Sequence, residues 1–198
     1  MEGSRGPGRY GADPRLDAEI EELERRIETL KEQRSAARRR RGPEPIADFA
    51  VGTGGGQRRL SELFGEHDDL LLVHNMGRTC AYCTLWADGF VGLLPHLTRR
   101  SAFVLMTPDT PEVQREFAAS RGWPFVMVSD PTREVARALG FATEGGVSLP
   151  GVSALRRSSD GSLTRSGRAE FGPGDDYCAV WPLFDLLPGG SGEWVPQI

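Results

Sequence analysis

The apolar positions along this chain change period several times, and each change predicts an element. Between residues 13 and 41, Leu16, Ile20, Leu23, Ile27 and Leu30 recur in alternating steps of four and three, with charges almost everywhere else. That is the a/d spacing of a helix with one narrow apolar seam. Asp13-Pro14 supplies an N-cap followed by proline at the first helical position, and Gly42-Pro43-Glu44-Pro45 supplies the stop. So narrow a stripe suits either a coiled-coil arm that makes a homodimer or a helix lying on its own domain. Arg38, Arg39, Arg40 and Arg41 close the helix at the end where its dipole favours cations. Residues 1–12, rich in Gly, Arg and Pro, read as a disordered tail.

From residue 46 the pattern shortens. Residues 46–59 are glycine-rich, with one short strand expected around Phe49, Ala50 and Val51, and residues 61–64 suit a single helical turn. Asp69–His74 (DLLLVH) is a continuous apolar run of strand length, bounded by acids before it and by Gly77 after. From Cys80 no Gly or Pro occurs until Gly89. Leu85, Phe90, Leu93 and Leu94 supply a helical face, with a break expected at Pro95. Ala102–Thr107 (AFVLMT) predicts a second buried strand. Residues 110–121 predict a helix, with Pro111 at its start, Val113 and Phe117 facing in and Gly122 as its stop. Residues 125–129 (FVMVS) give a third strand. Asp130-Pro131 then opens a short helix through Val135, Ala138 and Leu139 that ends at Gly140. Strand and helix alternating three times call for parallel strands with right-handed crossovers. After that, residues 152–156 and 163–169 flank Ser158-Ser159-Asp160-Gly161, a hairpin turn. Tyr177, Val180, Trp181, Phe184 and Leu187 share one face of a last helix expected over 175–187 despite Pro182, and 189–198 reads as a loop tail. The expected organisation is an α/β domain over 46–188 behind an N-terminal helical arm over 13–41.

Composition narrows the classes. A chain of 198 residues has room for one core and an appendage. A net charge of −4 makes no electrostatic case for nucleic acid as a partner. No stretch reaches the roughly 20 apolar residues of a membrane span. The N-terminus has no apolar signal core, and three cysteines do not make a secreted disulfide framework, so a cytoplasmic location is expected. Arginine nearly replaces lysine, with Lys31 the only lysine, which fits a bacterial GC-rich genome.

The candidate chemistry is Cys80-Ala-Tyr-Cys83, where the strand 69–74 hands over to a helix. Two cysteines three apart on a first helical turn face the same way and can close a disulfide. The unpaired N–H groups and the dipole at that end favour thiolate over thiol. C-x-x-C beside a βαβ pattern in an intracellular chain is a redox signal. Cys80, nearer the terminus, is expected to attack, and Cys83 to resolve. Arg78 is the one basic residue close by in sequence. Tyr82 and Trp86 flank the motif, where they shape the entrance or simply pack. His74 ends the strand and His96 follows the helix. Either can move protons, or both can join the cysteines in a Cys2His2 zinc set, although the spacing is not that of a zinc finger. Asp88 reads as a proton acceptor or a surface carboxylate, and Cys178 as a buried thiol on the last helix. Gly52-Thr53-Gly54-Gly55-Gly56 lacks the Lys-Ser/Thr of a phosphate-binding loop, so no organic cofactor is implied.

This order of elements, with cysteines opening the first core helix, resembles the thioredoxin fold in its peroxiredoxin-like elaboration. The stretch TPDTPEVQREFAASRGWPFVMVSDPTREVARALGF resembles the matching region of the alkyl-hydroperoxide-reductase and thiol-specific-antioxidant families. LSELFG, VHNM, CAYCTLWADG, His96-Leu97, RGWPF, LPGVS and LFDLLPGG resemble an uncharacterised thioredoxin-like bacterial family, domain of unknown function 899. The resemblance implies a central mixed sheet flanked by helices. It also implies a cis-proline at Pro150 facing the cysteines, with the Leu149-Pro150 backbone placed to pair with an extended substrate. The implied partners are a protein or small-molecule disulfide or peroxide, and a dithiol reductant. Peroxiredoxins also place a proline and a Ser or Thr at fixed positions before the peroxidatic cysteine. Here the residues three and seven before Cys80 are Gly77 and Val73, and those before Cys83 are Cys80 and Met76. Val152 falls near where their late arginine is expected. The primary expectation is therefore a thiol–disulfide oxidoreductase. The alternatives are a thiol-dependent peroxidase using Cys80 in an altered pocket and a non-catalytic interaction module dimerising through the N-terminal helix.

Overall fold

The computed structural model describes residues 13–198 and divides the chain after Gly42 into two compact units, the second being Pro43–Ile198. The disorder expected of residues 1–12 lies outside the described residues. In the first unit α1 (Pro14–Arg40) runs for 27 residues, and the Asp13 side chain caps it by accepting the Arg15 N–H at 2.9 Å. No residue of α1 is buried, and Leu16, Ile20, Leu23, Ile27 and Leu30 stand 40–61 % exposed.

The second unit is built on one eight-stranded mixed sheet. In chain order its strands are β1 (Glu44–Ile46), β2 (Ala50–Thr53), β3 (Gly56–Arg59), β4 (Asp69–His74), β5 (Ala102–Thr107), β6 (Val126–Ser129), β7 (Gly151–Arg157) and β8 (Leu163–Glu170). Their spatial order is β1-β8-β7-β4-β5-β6-β2-β3. β4, β5 and β6 pair parallel and the remaining pairs are antiparallel. α2 (Ala81–Leu97) and α3 (Pro111–Arg121) are the two long crossovers, and α4 (Glu134–Ala138) follows β6. The central strands are covered on both faces, which is why they read as unbroken apolar runs. On one face Leu70, Leu72, Val104, Met106 and Val128 pack with Phe64, Leu139 and Phe141. On the other, Val73, Phe103 and Leu105 pack with Trp86, Phe90, Trp123 and Phe171. No described helix is long and apolar enough to cross a membrane.

The expected α/β architecture is present, with differences at its margins. Residues 44–59 hold three short strands where one was expected around Phe49, Ala50 and Val51. β2 and β3 form a hairpin through the glycines, and β1 exists by pairing along β8, with Pro45 on the sheet edge where a missing N–H is tolerated. Pro95 does not break α2, which continues to Leu97; a proline this close to the C-terminus removes one internal hydrogen bond and stands exposed. The last helix is only α5 (Val180–Phe184). Ahead of it the Asp175 carboxylate accepts the N–H groups of Gly172, Tyr177 and Cys178, a local turn that competes with helix over 175–179.

Candidate active site

β4 ends at His74, and the next six residues turn the chain into α2. Asn75 Oδ1 accepts the Gly77 N–H at 2.8 Å, Gly77 takes φ +108°, and the Cys80 N–H closes the turn on the Gly77 carbonyl at 3.1 Å. Cys80 is the N-cap of α2, one position ahead of the first helical residue, in extended conformation (φ −92°, ψ 100°). Its Sγ takes the place a Ser or Asp oxygen usually fills and accepts the Cys83 N–H at 3.1 Å. The Cys80 carbonyl is held by the Thr84 N–H (3.0 Å) and hydroxyl (3.1 Å). Cys83, one turn on, is 3 % exposed, with the Met76 N–H 3.4 Å from its Sγ and the Asn75 amide 3.4 Å from its carbonyl. Both thiols are free.

These contacts separate the two sulfurs electrostatically. The Cys83 thiol, helped by the N–H groups of Cys83 and Tyr82 and opposed by burial, brings Cys80 down from 9.0 to about 7. The Cys80 side chain, with burial, pushes Cys83 far up. A half-buried thiol whose anion is favoured, beside an enclosed thiol whose proton is held, is chemically able to act as an attacking and a resolving cysteine.

A carboxylate from another strand holds the turn. Asp109 follows β5, and its Oδ2 accepts the Arg78 N–H at 2.8 Å. Thr107 braces it from both sides, accepting the Asp109 N–H at 3.1 Å and donating to Oδ2 at 3.3 Å. A Cβ on Gly77 would lie 3.0 Å from the same Oδ2, so the close approach needs glycine as much as the positive φ does.

With this geometry in view, the comparisons with known proteins are informative. Residues 43–158, more than half of the chain, match the AhpC/TSA family. The chain belongs to that family. Membership makes it a thiol-dependent peroxidase or oxidoreductase. Among solved structures it is similar to the peroxidoxin BcpB from Mycobacterium tuberculosis, at 24% identity over 61% of this chain and 80% of that one, with a TM-score of 0.50. The oxidised Prx3 from Vibrio vulnificus aligns at 15% identity over 66% of this chain and 87% of that one, with a TM-score of 0.51. A conserved protein from Geobacillus kaustophilus aligns at 19% identity over 70% and 73%, with a TM-score of 0.52. These are likenesses of fold. No curated protein matches the chain.

In this AhpC/TSA member the other residues singled out from sequence have varied places. Arg78 is exposed, and what it contributes to the site is its backbone N–H; no cation is among the causes that activate Cys80. Tyr82 lies between Trp86 and Trp181, with ring centroids 6.2 and 6.3 Å away, and Trp86 is 2 % exposed against Phe171. The two aromatics thus tie α5 to the cysteine helix.

His74 is on the opposite face of β4 from α2. Its Nε2 is 2.9 Å from Ser153 Oγ, its ring stacks on Phe141 at 4.0 Å, and burial, with Arg165 adding, lowers its pKa to about 3. It does not join the sulfurs. His96 is in the last turn of α2, about 24 Å along the helix from Cys80 by the helical rise, so the two histidines and two cysteines do not converge. Asp88 binds Arg121 and accepts the Trp123 indole N–H at 2.7 Å, joining α2 to the end of α3. Cys178 is buried in the turn before α5 instead of on a helix, and burial raises its pKa.

Pro150 corrects the resemblance. No described peptide bond is cis, so Leu149–Pro150 is trans. The backbone there is also committed: the Leu149 N–H donates to the Phe141 carbonyl at 2.8 Å, and the Pro150 carbonyl accepts the Phe171 N–H at 3.1 Å. An extended substrate would find the Leu149 N–H and the Pro150 carbonyl taken. The residues that sequence reasoning passed over are Asn75, Met76 and Asp109. The first two stood inside the quoted VHNM, and Asp109 inside TPDTP, but nothing local tied the acid to a turn 31 positions away.

Proposed function

We propose that the chain is a thiol–disulfide oxidoreductase working through Cys80 and Cys83. The observation that carries this reading is the N-cap position of Cys80, whose Sγ receives the Cys83 N–H with the Cys83 side chain one turn on. The Cys80 thiolate attacks one sulfur of a disulfide, forms a mixed disulfide, and releases the other half as thiolate. The negative charge that held the Cys83 proton is then gone, and the departing thiolate can accept that proton. Cys83, now a thiolate, next attacks Cys80 Sγ, closing the intramolecular disulfide and releasing the second half as a thiolate, which takes its proton from water. The substrate leaves as two thiols with two electrons gained, and an external dithiol restores the pair.

A second reading is favoured by the family and by the occupied Leu149-Pro150 backbone, which suits a small substrate better than an extended chain. In it a hydroperoxide gives one oxygen to Cys80, leaving an alcohol and a sulfenic acid. Cys83 condenses with that acid to the same disulfide and one water. The narrower kinship with domain of unknown function 899 rests on the sequence motifs alone. Insulin reduction and hydroperoxide consumption, each driven by dithiothreitol, separate the two readings. Cys80→Ser is expected to abolish whichever activity is present, and Cys83→Ser to trap a mixed disulfide. If the Cys80–Cys83 disulfide forms at no glutathione poise, both readings fail.

A further inference from the structure

The charges of α1 are segregated along its length. Residues 13–24 carry six acids (Asp13, Asp17, Glu19, Glu21, Glu22, Glu24) against Arg15. Residues 29–41 carry six bases (Lys31, Arg34, Arg38, Arg39, Arg40, Arg41) against Glu32. The apolar seam runs through both halves, with Ile20 and Ile27 at a positions, Leu16, Leu23, Leu30 and Ala37 at d positions, and Arg34 at the next a position. Its five large apolar side chains are 40–61 % exposed. A 27-residue helix with a seam so open gains by covering it, and the charges say with what.

Two copies side by side in parallel would set Glu19 against the partner's Glu24 and Arg26 against the partner's Lys31, at the flanking positions where like charges repel. Two copies running antiparallel, with position 20 level with the partner's 37, bring acid to base at three of the four flanking pairs; the fourth sets Arg26 beside the partner's Gln33, and in the seam Leu23 lies level with the partner's Arg34. Asp17 then faces the partner's Arg38, and Glu19 the partner's Arg40. In the same register Ile27 meets the partner's Leu30, Ile20 meets the partner's Ala37, and the two helix dipoles oppose. We infer that α1 is an antiparallel self-association helix, its occupant a second copy of this chain. The inference is independent of the thiol chemistry.

Sedimentation equilibrium of the reduced, unaltered chain is expected to give a dimer. Ile27→Glu with Leu30→Glu should raise its dissociation constant at least about a hundredfold, since both Ile27–Leu30 layers of the pair are lost and acids face acids there. Orientation is read by cross-linking. In a Cys80→Ser, Cys83→Ser, Cys178→Ala background, one chain carries Ile20→Cys and a tagged second chain carries Ala37→Cys. Mixing and mild oxidation should yield the 20–37 heterodisulfide. Homodisulfides at 20 or at 37 would mean a parallel pair and overturn the inference. A monomer for the unaltered chain at every concentration, with the seam covered by its own domain or by another protein, would overturn it as well.

Discussion

Removing the Cys83 thiol while keeping its backbone tests what activates Cys80. That thiol is the largest of the influences that lower Cys80 from 9.0 to about 7, ahead of the N–H groups of Cys83 and Tyr82. In Cys83→Ala the N–H groups stay and the side-chain bond goes. A hydrogen bond to a charged acceptor is worth about 1.5–3 kcal/mol, and one pKa unit about 1.4 kcal/mol. Cys80 should therefore titrate at about 8 to 9 in the variant, and its thiolate fraction at pH 7 should fall from about one half to between roughly 1 and 10%. Because nucleophilicity falls with pKa, the wild-type cysteine at pH 7 should outpace an unperturbed thiol by about sixfold, well short of the roughly fiftyfold given by thiolate fraction alone. The assay is iodoacetamide alkylation against pH, read at the Cys80 peptide by mass spectrometry. Cys83→Ser retains a hydroxyl donor and should keep the midpoint near 7. A Cys83→Ala midpoint unmoved from about 7 would mean the helix terminus acts alone, and a wild-type midpoint near 9 would refute the activation of Cys80 altogether.

Other outcomes follow from the same contacts. His74 is neutral when folded down to about pH 3 but takes a proton below about 6.5 when unfolded, so acid favours the unfolded chain. Stability should fall from pH 6.5 downward, by about 2 kcal/mol from this group at pH 5, and urea titrations should show that portion of the slope missing in His74→Gln. Gly77→Ala places a Cβ 3.0 Å from Asp109 Oδ2 on a backbone at φ +108°. It should cost about 1–3 kcal/mol of stability by thermal unfolding and slow turnover. Asp109→Ala releases the Arg78 N–H and should shift the reduction potential of the Cys80–Cys83 pair in glutathione buffers, whereas Asp109→Asn, which keeps an acceptor oxygen, should restore it. Equal potentials in all three proteins would remove Asp109 from the positioning of the turn.

Much of this protein was legible wherever the cause is local. Asp69–His74 and Ala102–Thr107 are strands at the expected bounds because central parallel strands must be apolar on both faces. α1, α3 and the β7–β8 hairpin follow from caps, glycines and a turn whose signals lie within a few residues of the elements they bound. The spacing alone brings Cys80 and Cys83 close together at the start of α2. Tertiary structure decided what depends on partners far off in sequence. β1 is three residues with no apolar pattern, and it is a strand because β8 offers an edge 121 positions away from Glu44. His74 looked like a neighbour of the cysteines by position, yet side chains alternate across a strand. Its register against Gly151 turns it to Phe141 and away from α2. Pro150 is trans, with the flanking backbone bonded to Phe141 and Phe171, a pairing that no property of the dipeptide determines. The activation proposed for Cys80 divides in the same way. The residue types and their spacing come from the sequence, while the thiolate's neighbours and the Asp109 brace exist only once β4, β5 and α2 are packed together.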